Sequence, residues 1–230
     1  MTTTINWLGH NAWSIETGGK TILVDPFLND SPTAPLKADH VKADFILLSH
    51  GHADHVGDTI AIAKRTGAPV IANFEVTEWL KKKGVADDKV VPMNPGGGRE
   101  QPFGHVKFTI AHHSSSMPDG SYGGVPGGFL LTLPGARVYF ACDTALFYDM
   151  KLIGEAGIDV AILPVGDNFT MDPDDALRAV KLIEPKRVIP DHYNTWPLIA
   201  QEVQSWADRV RAETSTEPVI LKPGESCELG

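Results

Sequence analysis

The run Phe45-Ile46-Leu47-Leu48 contains no polar side chain and leads, through Ser49, straight into His50-Gly51-His52-Ala53-Asp54-His55. A strand without polar alternation is a strand covered on both faces, so the chain must build layers above and below it. Its polar end then opens at an edge of the sheet. In extended or turning backbone, side chains two apart point the same way, so His50 and His52 can grip one ion. Asp54 and His55, at the start of whatever follows, face a second position. Neutral imidazole and carboxylate are ligands that Zn²⁺ and similar borderline metals accept. Histidines also cap helices and sit satisfied in cores, but three of them with an aspartate at one strand end point to metal ligation.

The rest of the pattern agrees with a layered α/β chain. Ile5 to Leu8, Ala12 to Glu16 and Thr21 to Val24 read as strands, with Gly9-His10 and Gly18-Gly19 as hairpin turns. After the histidine motif, Val56 to Thr66 has helical spacing and closes at Gly67. Pro69 to Ala72 is a short strand and Val76 to Lys83 a short helix. Val106 to Ala111, Gly128 to Leu133, Arg137 to Ala141, Asp159 to Leu163 and Arg187 to Ile189 are strand-like, with helices between the later ones. Asp172-Pro173-Asp174-Asp175 starts a helix, combining a capping carboxylate, a first-turn proline and acids at the positive end of the dipole. Ile199, Val203, Trp206 and Val210 mark the buried stripe of a last helix. Pro92 to Gly98 and Pro118 to Gly128 read as surface loops, not domain boundaries. A single layered domain over residues 1–230 is expected.

Composition narrows the partners. The net charge is −9, with 29 acidic against 20 basic side chains. That argues against nucleic acid and anionic membrane, both gripped mainly by Lys and Arg. Cys142 and Cys227 form no CxxC pair, which excludes a zinc ribbon and gives no sign of a disulfide scaffold. Cys142 reads as a small buried hydrophobe. The first residues lack the basic start and apolar stretch of a signal peptide, and no run approaches the length of a membrane span, so a cytoplasmic location is expected.

Two metals need more donors than one motif supplies. His113 follows the strand ending at Ala111, Asp143 follows the strand ending at Ala141, and His192 follows Val188-Ile189-Pro190-Asp191. Open α/β sheets collect functional groups at such strand ends. With these residues in place, the sequence resembles the metallo-β-lactamase superfamily, whose ligand motifs His50-x-His52-x-Asp54-His55, His113, Asp143 and His192 match in order. It is most similar to a branch of small metal-dependent hydrolases related to ascorbate-6-phosphate lactonases, through Trp7-Leu8-Gly9-His10, Ile22 to Phe27, Gly166 to Met171 and Asp191 to Thr195.

The resemblance implies a four-layer αβ/βα sandwich with metals at one edge. It implies that His50, His52 and His113 bind one ion, that Asp54, His55 and His192 bind the other, and that Asp143 bridges them. It selects His113 over His112, since the family ligand stands directly before the serines. It also implies that Asp25 fixes a metal-bound imidazole, although a plain Asx-Pro turn fits that aspartate too. His10 is expected to line the pocket without binding metal, as a substrate contact or proton donor, with a turn histidine as the alternative.

Tyr193, Asn194, Thr195, Asp167 and Asn168 are expected to face the cleft. His40 and His105 read as surface or loop residues. Such a ligand set takes two divalent ions, with Zn²⁺ expected and Mn²⁺, Fe²⁺ or Ni²⁺ compatible. A water between the ions loses a proton near neutral pH and attacks a carbonyl or phosphoryl centre. Asp54, Asp143 and His10 are thus the candidate catalytic residues, and the substrate expected is a small ester, lactone, thioester or phosphodiester. Relatives with this ligand set also cut RNA or DNA, the alternative reading, against which the negative charge weighs. A di-iron redox role is disfavoured because His52 is not replaced by a carboxylate, and a vestigial scaffold because the ligand set is intact. Loops around an edge-located site are compatible with homo-oligomer contacts.

Overall fold

A computed structural model describes residues 2–229. Its strands form two seven-stranded mixed sheets. The first contains β1 (Thr3–Trp7), β2 (Trp13–Thr17), β3 (Lys20–Val24), β4 (Phe45–Leu47), β5 (Val70–Asn73) and β6 (Val90–Met93), with β14 (Ser226–Leu229) beside β1. The second runs, from edge to edge, β13 (Glu217–Pro218), β12 (Arg187–Asp191), β11 (Val160–Pro164), β10 (Ala136–Phe140), β9 (Gly127–Leu133), β8 (Gly104–Ile110) and β7 (Gly98–Gln101). Strands β3 to β6 are mutually parallel, as are β10 to β13. The carboxyl ends of both parallel sets open at one edge of the sandwich.

The expected double burial of the histidine-bearing strand is observed. Phe45 and Leu47 join the core between the sheets, with Trp13, Ile22, Phe108, Phe129 and Phe140. Ile46 and Leu48 face the other way, onto Ile62, Ala63, Val76 and Leu80. Those last four belong to α2 (Thr59–Thr66) and α3 (Phe74–Lys82), which cover the outer face of the first sheet. After the short α4 (Met150–Gly154), two helices, α5 (Pro173–Ile183) and α6 (Val203–Glu213), bury Leu177, Val180, Trp206 and Val210 against the second sheet. Full burial of each such side chain contributes about 1.5–3 kcal/mol. The result is the αβ/βα sandwich. No helix among the described residues is long and apolar enough to cross a membrane.

Three local readings change. The helix expected over Val56 to Thr66 is two helices, because Gly57 adopts φ +40° and a Cβ there would lie 2.6 Å from the Pro26 carbonyl oxygen. The first piece, α1 (Ala53–Val56), is a single turn that carries Asp54 and His55. The stretch read as a loop from Pro92 to Gly98 lies partly in β6 and β7; Pro92 is tolerated because β6 is a sheet edge. Ile199 is buried in a 3₁₀ turn (Pro197–Ile199), and α6 begins only at Val203.

Candidate metal centre

Each ligand candidate sits just past a strand end. His50 and His52 follow β4, His113 follows β8, Asp143 follows β10 and His192 follows β12. Two groups of four donors result, the atoms within each lying within 4.8 Å of one another: His50, His52, His113 and Asp143 in one, His10, Asp54, His55 and His192 in the other; Asp25, His50 and His55 form a smaller third group behind them. In the first, His50 Nε2 is 2.9 Å from His52 Nδ1, which is 3.3 Å from His113 Nε2. Asp143 Oδ2 stands between the groups, 3.4 Å from His113 Nε2, 3.3 Å from His55 Nε2 and 3.2 Å from His192 Nε2. Two ligands on one tetrahedral ion with bonds near 2.05 Å are about 3.3 Å apart. The spacings are those of ligands that share a cation.

The protons on the imidazoles are fixed from behind. Asp25 is fully buried at the end of β3, and its Oδ1 accepts the Ser49 backbone N–H at 2.8 Å. Its Oδ2 accepts from Ser49 Oγ at 2.5 Å, Asn11 Nδ2 at 2.8 Å and His55 Nδ1 at 2.8 Å. His55 therefore carries a proton on Nδ1, which leaves Nε2 as the nitrogen that faces the cleft. The single Ser49 hydroxyl proton goes to the carboxylate, so Ser49 Oγ accepts from His50 Nδ1 at 2.9 Å and frees His50 Nε2 in the same way. Buried His55 Nε2, Asp143 Oδ1 and both ring nitrogens of His192 have no hydrogen-bond partner. Leaving such atoms unpaired costs about 1–3 kcal/mol each, and a cation removes that cost. The donor set fits divalent metal.

The electrostatics favour positive charge at this edge. Burial pushes His55 down, but Asp143 and Asp54 outweigh it and hold the imidazole well above its ordinary value. Burial likewise opposes Asp143, yet His192 and His55 hold it well below the usual carboxylate range. His50 is lowered well below its ordinary value by burial and by His55, so it stands ready as a neutral ligand.

Other candidates fall on both sides of expectation. His113 Nε2 faces His52 and Asp143 within the cluster, while exposed His112 packs on Phe147 at 5.1 Å. His10 sits deeper than a pocket lining. It is fully buried, with Nε2 3.2 Å from Asp54 Oδ2 and Nδ1 2.9 Å from Thr195 Oγ1, and burial lowers it to about 4. Tyr193 turns inward and stacks on Trp7 at 5.4 Å, so its hydroxyl, pushed up to about 12 by burial, does not line an open cleft. Asn194 caps the Gln201 backbone N–H at 2.7 Å. Asp167 and Asn168 are exposed on the rim. Cys142 is buried, His40 exposed and His105 half-buried on β8. Asn11 and Ser49 were not singled out from the sequence; only their positions beside His10 and His50 could have suggested them.

Fold and site together define a class. A model of the β-lactamase superfamily domain matches residues 20–193. The chain therefore belongs to the metallo-β-lactamase superfamily. Within it, the chain is 48% identical over 225 residues to a UPF0173 metal-dependent hydrolase of Thermus thermophilus, covering 98% of each chain. It is 50% identical over 231 residues to one from Bacillus mycoides, covering 98% of this chain and 99% of that one. Its structure matches that of a metallo hydrolase from the archaeon Ignicoccus hospitalis with a TM-score of 0.90 at 33% identity, over 100% of this chain and 99% of the other. The protein is thus a UPF0173-type metal-dependent hydrolase.

Proposed function

We propose that this edge holds two divalent ions, zinc in the first instance, and hydrolyses a small carbonyl or phosphoryl ester. The observation that carries the reading is the pair of four-donor groups joined by Asp143, with buried ring nitrogens of His55 and His192 left unpaired. His50, His52 and His113 hold one ion, Asp54, His55 and His192 hold the other, and Asp143 bridges. His10 joins the second group as a fourth donor, because its 3.2 Å spacing to Asp54 Oδ2 is that of two ligands on one ion.

Bound ions would supply Lewis acidity and an activated water. The chain's own contribution is orientation. Asp25 and Ser49 hold His55 and His50 in the ligating tautomer, and Thr195 meets the far nitrogen of His10. His10, His50, His55, Asp143 and His192 are buried, while His52, Asp54 and His113 are half-buried on the open side.

Metal quantitation tests this directly. Protein purified without chelators should hold two ions per chain, His113→Ala and His192→Ala about one each, and Asp143→Ala fewer than one. Hydrolysis of an ester, lactone, thioester and phosphodiester panel should follow metal content. A folded Asp143→Ala variant with normal metal content and turnover would refute the proposal.

A further inference from the structure

Apart from the ions proposed above, the segments around the metal centre supply no Lys or Arg charge. The segments brought to this edge are 8–12, 25–36, 48–58, 111–126, 141–149, 165–172 and 192–202, close to a third of the chain, and they contain none of its 20 Lys and Arg residues. They do contain Asp30, Asp58, Asp119, Asp149, Asp167 and Asp172, besides the ligand carboxylates. Two of the cations that flank these segments are engaged. Lys37 Nζ donates to the Asn29 carbonyl at 2.8 Å, and Lys83 Nζ pairs with Asp119 at 2.8 Å.

The same edge concentrates exposed apolar side chains. Phe74, Ile110, Tyr122, Tyr148, Phe169 and Leu198 are between 44% and 72% exposed, and all lie on these segments or at the strand ends that feed them. Trp196 stands 4.8 Å from His10 and 6.2 Å from Phe27, giving the second donor group an aromatic wall. Ile110 also lines a largely apolar groove of about 330 Å³ with Phe108, Leu130, Phe147 and Leu152, bordered by Lys107 and Asp149. Phe147 is the residue that packs on His112, next to the ligand His113. Apolar surface gathered at one place marks a binding site.

From these observations we infer that the substrate is an uncharged acyl compound, an ester, thioester or lactone with an apolar substituent, and not a phosphate ester or other anion. Beyond the ions themselves, sites hold the phosphate or carboxylate groups of a substrate through Arg, Lys or clustered backbone N–H groups, and the segments around this centre carry no Arg or Lys. The acidic rim repels an approaching anion, while the aromatic and aliphatic residues reward an apolar one. The reaction balances simply: the oxygen of one water bonds to the acyl carbon, the bond from that carbon to oxygen or sulfur breaks, and the alcohol or thiol takes a proton. The other product is a carboxylate, with one proton released at neutral pH, and the same acidic rim speeds its departure.

This inference rests on the hydrolase reading of the centre, and its test separates the two. Metal-loaded protein is assayed with p-nitrophenyl butyrate, its terminal-carboxylate twin p-nitrophenyl succinate, and bis(p-nitrophenyl) phosphate. The neutral ester should exceed both anions at least tenfold in kcat/KM. Lengthening its acyl chain from acetate to hexanoate should raise kcat/KM by up to about fourfold per methylene. Added salt should raise kcat/KM for the carboxylate twin, by screening repulsion, and leave the neutral ester unchanged. Phe169→Lys, which replaces apolar rim surface by a cation, should raise turnover of the twin severalfold and lower that of the butyrate, narrowing the gap between them.

Equal or faster turnover of either anion overturns the substrate inference alone. So does a rim that proves to be a subunit interface, with Phe169→Lys and Leu198→Lys dissociating an oligomer and leaving selectivity untouched. No turnover of any compound by protein carrying two ions overturns the hydrolase reading, and the inference with it.

Discussion

Asp25 is the residue whose alteration separates orientation of ligands from mere support of the fold. Its carboxylate takes four buried donors: Ser49 N–H on Oδ1, and Ser49 Oγ–H, Asn11 Nδ2–H and His55 Nδ1–H on Oδ2. In Asp25→Asn, the amide nitrogen must take the Oδ1 place, where it meets only the Ser49 N–H donor to donor; the opposite rotamer sets it among three donors. One conflict of that kind costs about 1–3 kcal/mol. The oxygen left at Oδ2 still accepts from His55, so the ligating tautomer survives, but without the charge that raises the basicity of Nε2.

Asp25→Ala removes all four acceptor contacts and should cost on the order of 3–5 kcal/mol. Partners of this type contribute 10- to 100-fold to metal affinity. Asn should therefore lower affinity about tenfold and Ala about 100-fold. Competition with a chelator on metal-stripped protein reads affinity, and urea unfolding of the same samples reads stability. A stability loss of the expected size with wild-type affinity in both variants would refute the orienting role.

Three other outcomes follow from particular contacts. Gly166→Ala places a Cβ 2.1 Å from the His192 carbonyl oxygen, so the backbone of that ligand must shift; a loss of at least about 2 kcal/mol in urea melts and of metal at the second position is expected. His10→Ala should weaken the second ion at least tenfold in chelator titration while the first is held normally, and Thr195→Val should have a smaller effect in the same direction. Asp191 is buried and pushed up to about 7 by burial, the Trp13 indole N–H offsetting part of this. An acid whose folded value is raised keeps its proton in the folded state, so its contribution is full below pH 4 and is lost as pH rises toward 7, at about 1.4 kcal/mol per pH unit. In metal-stripped protein, Asp191→Asn should therefore gain stability relative to wild type between pH 4 and 7, and the difference should be flat above; a pH-independent difference would show that Asp191 is ionised throughout.

Much of this was legible in the sequence because it is local. The double burial of β4 follows from four consecutive apolar residues, and the ligands stand next to strands recognisable by composition. What escaped depends on neighbours far away in the chain. His10 lies 44 residues before Asp54, and they meet because β1 and β2 take places beside β3 and β4 in the first sheet, an order that composition does not specify. Tyr193 looked like a cleft residue because it follows a ligand, but the left-handed turn at His192 sends it onto Trp7. The helix through Val56 kept its period across Gly57, and only the approach of the 25–27 turn requires a break there. Lack of positive charge at one edge was present in the sequence throughout, but it became a property of a surface only when seven separate segments were known to share that surface.

The backbone of this edge also explains why those segments are not simply glycine loops. Of the eight non-glycine residues with positive φ among the described residues, seven lie here: His10, Asp25, Cys142, Asp167, Asn168, His192 and Asn194, with φ between 42° and 62°. Each such conformation costs of order 1–3 kcal/mol and is held only where the surroundings over-determine it. Glycine would relieve the strain but would remove the side chain. At His192 that is a proposed metal donor, at His10 an imidazole with its own hydroxyl partner, and at Asp25 the acceptor behind two imidazoles. The packed core between the sheets supplies the rigidity that offsets these costs, and in return the strained turns bend the chain sharply enough at successive strand ends for donors from five segments to converge. At Asp167 and Asn168 no donor is needed, yet the strain persists on the exposed rim. There it holds an acidic side chain next to Phe169, the pairing of negative charge and apolar surface that selects for an uncharged substrate.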